Sequence, residues 1–233
     1  MLMKILKVFI ALSFLMLSCN KQEQSTMLVK GEIKDLKKGT IFLQKMRDTL
    51  LVTVDSIKLD GVNTFTLTDD IESPELYFLS LDKMPGKQLS FFGEKGTITI
   101  NTKLDKFVLG ASINGLTNQQ LLDEYNAMKS QFTNKRLELI KEDFEAKQSK
   151  DSHIIDSIKN QIENLIKKRY YYTANFAITH ADSEIAPYLA LTELFDANIK
   201  LLDTINISLS PEVKASKYGK QLDQYIKDIK NNE

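Results

Sequence analysis

Seven of the nine glycines, at 31, 39, 61, 86, 93, 96 and 110, fall between residues 27 and 110, and only Gly115 and Gly219 lie in the 123 residues that follow. Turn chemistry therefore belongs to the first segment, and the second is left free for long uninterrupted helices. Within the first segment, short β-branched and aromatic runs recur every 8 to 14 residues or so, with turn signals between them. They are residues 28–33, 40–45, 51–59, 64–68, 76–81, 88–92, 97–101 and 107–109. Thr64-Phe65-Thr66-Leu67-Thr68 and Thr97-Ile98-Thr99-Ile100-Asn101 alternate apolar with hydroxylic or amide side chains. Strands of that kind bury one face, as in the antiparallel sheets of a β-sandwich. Asp60-Gly61 and Glu94-Lys95-Gly96 are the best hairpin turns, because glycine accepts positive φ.

From Asn114 the period changes from two to a three-four spacing. Leu122, Tyr125, Phe132, Ile140 and Phe144 mark one amphipathic helix, and Ile155, Ile158, Ile162, Leu165, Tyr172 and Phe176 a second. The polar break 148–152 between them predicts an antiparallel helical hairpin, with arms of about 45 Å for about 30 residues. Ser183-Glu184, with Pro187 in the first turn, predicts a third helix, and Ser210-Pro211-Glu212 a last one running past Tyr225. The expected class is α+β: an N-terminal antiparallel β-sandwich over 27–112, then a helical hairpin and C-terminal helices over 113–233.

The N-terminus carries a different signal. Lys4 and Lys7 precede an apolar run from Val8 to Leu17, followed by Ser18-Cys19 and the polar stretch 20–26. Ten apolar residues form the core of a secretory signal peptide and are too few to span a bilayer, which takes about 20. A small residue before the only cysteine resembles the bacterial lipobox. That resemblance implies cleavage after residue 18, lipid attachment at Cys19, and a short flexible tether over 19–26. Two or more acyl chains anchor a protein stably, at about 0.8 kcal/mol per buried CH₂. Cleavage leaves 29 basic and 31 acidic side chains, so no polybasic run in the sequence assists the lipid.

Balanced charge, 31 basic against 31 acidic groups over the whole chain, removes the footprint of a nucleic-acid binder. One cysteine and two histidines exclude an intramolecular disulfide, a Cys-x-x-Cys redox pair and the usual zinc sites. Neither a cofactor nor a metal ion is expected.

Between residues 28 and 115 an ordered set stands out: Val29-x-Gly31-x-Ile33, Asp55-Ser56, Asp60-Gly61 with Phe65, Pro74-Glu75-Leu76-Tyr77, Phe91-Phe92-Gly93-Glu94-x-Gly96-x-Ile98 and Gly110-x-Ser112-x-Asn114. It resembles the DUF4369 domain of lipoproteins from Bacteroidetes-type bacteria. In that family the β domain is commonly followed by a helical spacer and a thioredoxin-like domain, and residues 113–233 resemble the spacer. No Cys-x-x-Cys occurs here, so the redox activity of longer relatives does not transfer. The resemblance favours the outer membrane over the inner.

Candidate chemistry is sparse. Asp55-Ser56 lacks a nearby histidine and reads as a turn in which Asp55 accepts backbone N–H bonds at a strand end. Glu75 and Glu94 read as surface turn residues rather than a carboxylate pair for glycoside hydrolysis. His153 reads as solvated in the hairpin turn, and His180 as a capping or surface residue. Phe91-Phe92 sends one ring to each face of its strand, so one of them requires a second layer. Tyr170-Tyr171-Tyr172 cannot all face one core, because consecutive helical residues lie about 100° apart. Their rings are candidates for packing at the junction with the sandwich or for contact with a partner or sugar.

The expected function is a non-catalytic, lipid-anchored binding or scaffolding protein of the cell envelope, facing the periplasm. The alternative is an accessory to thiol-disulfide exchange that binds a thioredoxin-like partner on another chain, an idea drawn from the resemblance alone.

Overall fold

A computed structural model describes residues 26–149 and 151–232. The signal peptide, Cys19 and all of the tether before Thr26 lie outside the described residues.

Eight strands form two four-stranded sheets. They are β1 (Thr26–Lys34), β2 (Lys38–Arg47), β3 (Leu50–Asp60), β4 (Thr64–Asp70), β5 (Glu75–Leu81), β6 (Gln88–Gly93), β7 (Gly96–Lys103) and β8 (Ser112–Asn114). One sheet runs β4-β1-β7-β8 and the other β3-β2-β5-β6. The alternation read from the sequence is realised: Phe65 and Leu67 of β4 and Ile98 and Ile100 of β7 point inward, with Val29, Leu43, Tyr77 and Phe91 in the same core. The two inner faces thus close a sandwich.

Three details depart from expectation. Of the six pairings, β1–β7 is parallel, and only the other five are antiparallel. Gly61 and Gly96 do take positive φ, but the turns they occupy pass the chain between sheets and are not hairpins. The run 107–109 is not a strand. Phe107 plugs the core, Leu109 is 97% exposed, and the eighth strand forms over Ser112–Asn114. A 3-10 turn over Leu104–Lys106 turns the chain back there, and the Gly110 N–H donates to the Lys106 carbonyl at 2.7 Å.

Close approach fixes the central pair. A Cβ on Gly31 would stand 1.7 Å from the Ile100 carbonyl oxygen on β7, so only glycine fits at that point of β1.

Six helices follow: α1 (Thr117–Ser149), α2 (Ser152–Thr179), α3 (Ile185–Glu193), α4 (Ile199–Ser208), α5 (Pro211–Ala215) and α6 (Lys217–Asn232). The hairpin of α1 and α2 forms, but the outer half of its seam is not the one the spacing predicts: Leu139 and Ala146 of α1 are buried with Ile158 of α2, while Ile140 and Phe144 are exposed. Asp151 caps α2 by accepting from the N–H groups of His153 and Ile154. Ser210 caps α5 through the Val213 N–H, but the chain breaks at Ser216, so the single last helix expected is two. The helix α4 has no counterpart in the sequence reading. The Ser183 side chain does not cap α3; the Ile185 N–H donates to Asn118 Oδ1 of α1 at 2.9 Å instead.

Strand directions place the loops. The start of β1, the β6–β7 turn and the start of α1 lie at one end of the sandwich, together with the helices. The β1–β2, β3–β4, β5–β6 and β7–β8 connections lie at the opposite end.

Candidate functional site

At the helical end, polar side chains bind the two parts together. The Lys45 ammonium on β2 is almost fully buried and lies 2.5 Å from Asp69 Oδ2, 3.2 Å from the Tyr77 hydroxyl and 3.6 Å from Glu75 Oε1. Tyr77 donates to the same Asp69 oxygen at 2.6 Å. Burial, then the bond to Asp69, drives the Tyr77 phenol far above its ordinary pKa, so it stays a donor. Lys217 at the start of α6 pairs with Glu75 and donates to the Met46 carbonyl, and the Tyr218 hydroxyl accepts the Leu76 N–H at 3.0 Å.

A second node centres on Asn118, buried at the start of α1. Its backbone N–H donates to Glu94 Oε1 at 2.9 Å, so Glu94 satisfies one of the free amides of the helix N-terminus. Its amide nitrogen donates to Glu94 and to Glu184 at 3.3 and 3.0 Å, while its oxygen takes the Ile185 N–H. Burial raises the Glu94 pKa against the lowering effect of these bonds. The neighbouring Gln119 accepts the Phe92 N–H at 2.7 Å and so covers the free edge of β6.

Phe92 shows why the two parts dock. Phe91 points into the sandwich, and Phe92, equally buried, points out among Leu122, Tyr125, Phe176, Ile185 and Leu189. The second layer required by the Phe-Phe pair is the helical region.

The three tyrosines divide as their 100° spacing demands. Tyr172 packs on Tyr125, Phe132 and Phe176. Tyr170 is half-buried, donates to Asp196 Oδ1 at 2.6 Å and carries Arg169 over its ring at 5.2 Å. Tyr171 is 66% exposed. Tyr170 and Tyr171 line a groove of about 400 Å³ between α2 and α4, completed by Lys167, Asn198, Lys200 and Leu201. Lys167 and Lys200 are exposed and form no ion pair among the described residues. Behind Tyr170, a second hollow of about 300 Å³ is lined by Phe132, Arg136, Arg169 and Asp196. Two rings beside two uncommitted ammonium groups suit a ligand surface that is partly apolar and partly anionic.

Residues 27–122 match DUF4369, a domain of unknown function. This chain carries a DUF4369 domain. No curated protein matches the chain. The matched DUF4369 segment spans the sandwich and the first turns of α1, so it takes in Asn118, Gln119 and Leu122, all of which hold the junction.

Other residues singled out in the sequence have structural tasks in and around the DUF4369 domain. Asp55 does accept backbone N–H groups, from Ser56 at 2.7 Å and Thr68 at 2.8 Å, but it sits within β3 at a bulge, not at a strand end. The Thr68 bond joins the edges of the two sheets. Glu75 is not a surface turn residue but a buried member of β5, bound to Lys45 and Lys217; Glu94 does lie in the β6–β7 turn, but it is half-buried and bound to Asn118. His153 is exposed on the first turn of α2. His180 caps the end of α2, with Nδ1 2.9 Å from the Phe176 carbonyl oxygen.

Proposed function

We propose that this chain is a non-catalytic binding module held at the cell envelope, with the Tyr170–Tyr171 groove as its contact for a partner protein. The observation that carries the reading is the exposure of Tyr171 beside Lys167 and Lys200, on a helix whose neighbouring rings are packed. Tyrosine is enriched among the anchor residues of protein interfaces. The buried ionisable groups favour binding over catalysis, because Lys45, Asp69, Glu75 and Glu94 are each spent on bonds that fasten the fold. A general acid or base needs to reach a substrate.

Anchoring through lipid on Cys19, exposure to the periplasm and an outer-membrane location belong to the same proposal. They are supported by the N-terminal signal and the family resemblance. Among the described residues no helix is long and apolar enough to cross a membrane.

Crosslinking the full-length protein in native membranes, followed by mass spectrometry of the attached chains, tests the reading. A captured envelope protein that disappears with Tyr171→Ala and with Lys167→Glu is the expected result. If that protein carries Cys-x-x-Cys, the module serves thiol-disulfide exchange. Capture that is indifferent to both substitutions removes the groove from the account.

A further inference from the structure

We propose that the loop end of the sandwich, opposite the helices, docks on an anionic lipid surface. This inference is independent of the Tyr170–Tyr171 groove, which lies on the helical side.

The four connections at this end are bonded to one another. The Gly61 N–H donates to the Lys37 carbonyl at 2.9 Å, the Asp82 N–H to the Thr40 carbonyl at 3.1 Å, and Lys103 reaches Asp35 at 3.6 Å. Two facing sheets of four strands make this end on the order of 20 Å wide and 10 Å deep. Into that area the fold gathers lysines that lie far apart in the chain. Lys38 and Lys103 are held by Asp60, and by Asp35 and Asp105. Lys34, Lys37, Lys83, Lys87 and Lys106 are exposed and in no ion pair among the described residues; of the acids at this end only Asp82 and Glu32, which takes the Asn63 amide, lack an ammonium partner there. The sequence shows no polybasic run; the sandwich assembles a basic surface from three of the four connections and the strand ends beside them.

An apolar tip stands within it. Leu109 is the most exposed large hydrophobic side chain among the described residues, at 97%, with Val108 beside it. The tip is held in place: Phe107 is buried beneath it, the Thr102 hydroxyl donates to the Phe107 carbonyl at 2.9 Å, and the Gly110 N–H closes the turn onto Lys106. A protruding leucine framed by lysines needs a partner that is anionic at its surface and apolar just below. A bilayer interface offers both without a preformed pocket, and lysine stems reach past the apolar layer to the headgroups. An acidic protein would need a cavity shaped to Leu109. The residues from Cys19 to Thr26 span at most about 25 Å when extended, against about 30 Å for β1, so the body can lean until this end meets the membrane that holds the tether.

The test uses the chain from Asn20 onward, which keeps every described residue and carries no acyl group, sedimented with phosphatidylglycerol or phosphatidylcholine vesicles. Binding to the anionic vesicles alone, weakening as salt rises, is expected. Each lysine near an anionic surface contributes roughly fivefold. Lys83→Ala with Lys87→Ala and Lys106→Ala therefore lowers partitioning on the order of 100-fold. Leu109→Asp lowers it about tenfold or more. Both variants replace exposed side chains and keep the parent melting curve, and Tyr171→Ala partitions like the parent. Equal binding to neutral vesicles, no binding at low salt, or partitioning that both variants leave unchanged overturns the proposal. Retention on poly-glutamate without vesicle binding also overturns it and assigns the surface to an acidic polypeptide.

Discussion

Asn118→Ala isolates the joint between sandwich and helices. The side chain is buried and makes three bonds: its amide nitrogen donates to Glu94 and Glu184, and its oxygen takes the Ile185 N–H. Alanine keeps the backbone N–H that Glu94 accepts, so only the side-chain bonds are lost. Leaving the buried Ile185 amide without an acceptor costs about 1–3 kcal/mol. Two carboxylates also lose a shared donor, and bonds to charged groups contribute about 1.5–3 kcal/mol each before water replaces part of them. A net loss of about 3 kcal/mol follows. For a chain of this size that lowers Tm by about 6–12 °C. Urea and thermal unfolding followed by circular dichroism measure it. Asn118→Asp sharpens the test, because aspartate can still accept from Ile185 but brings a third carboxylate beside Glu94 and Glu184. It is at least as unstable as the alanine variant at neutral pH and recovers on acidification. A loss below about 0.5 kcal/mol for alanine, or an aspartate variant as stable as the parent, would refute the view that this node fastens the joint.

Lys45→Met removes the cation shared by Asp69 and Glu75 and leaves buried carboxylate charge behind; a loss of about 3–5 kcal/mol in urea titrations is expected. Gly31→Ala drives a Cβ into the Ile100 carbonyl and costs more than about 4 kcal/mol, seen as loss of soluble folded protein. Glu94 has a pKa raised by burial, so the folded state holds its proton more tightly than the unfolded state does. Its ionised form is a cost that disappears as pH falls from the folded pKa toward 4.5, and the Tm of the parent relative to Glu94→Gln therefore rises over that window.

What the sequence made legible follows from periodicity. Alternation located seven strands, because a strand in a sandwich repeats its inward face every second residue. The run 107–109 misled because its three apolar residues do three different things: Phe107 fills the core, and Val108 and Leu109 project outward from a turn. Positive φ at Gly61 and Gly96 was readable, but a turn that crosses between sheets has the same residues as one that stays within a sheet. The parallel β1–β7 pair joins strands about 70 residues apart, beyond any local signal. Phe91-Phe92 carried more information, since two adjacent aromatic rings on one strand demanded the second layer that α1, α2 and α3 supply.

The site was half legible. The 100° rule assigned the tyrosines to different surroundings, but the partner wall of the groove is α4, whose existence went unread. Glu75 and Glu94 looked like surface turns because Lys217 and Asn118, which cover them, lie 142 and 24 residues away. Asn118 and Gln119 left one faint signal: two amides side by side at the entry to an amphipathic helix, where a free strand edge and a helix N-terminus both need partners.

A photo-crosslinking residue placed at Tyr171 of the full-length protein in native membranes, with Thr53 on the outer strand β3 as control, tests the central claim most directly. A single discrete adduct at 171 and none at 53 is the predicted result. Equal, diffuse labelling at the two positions would contradict it and leave the exposed tyrosine without a partner.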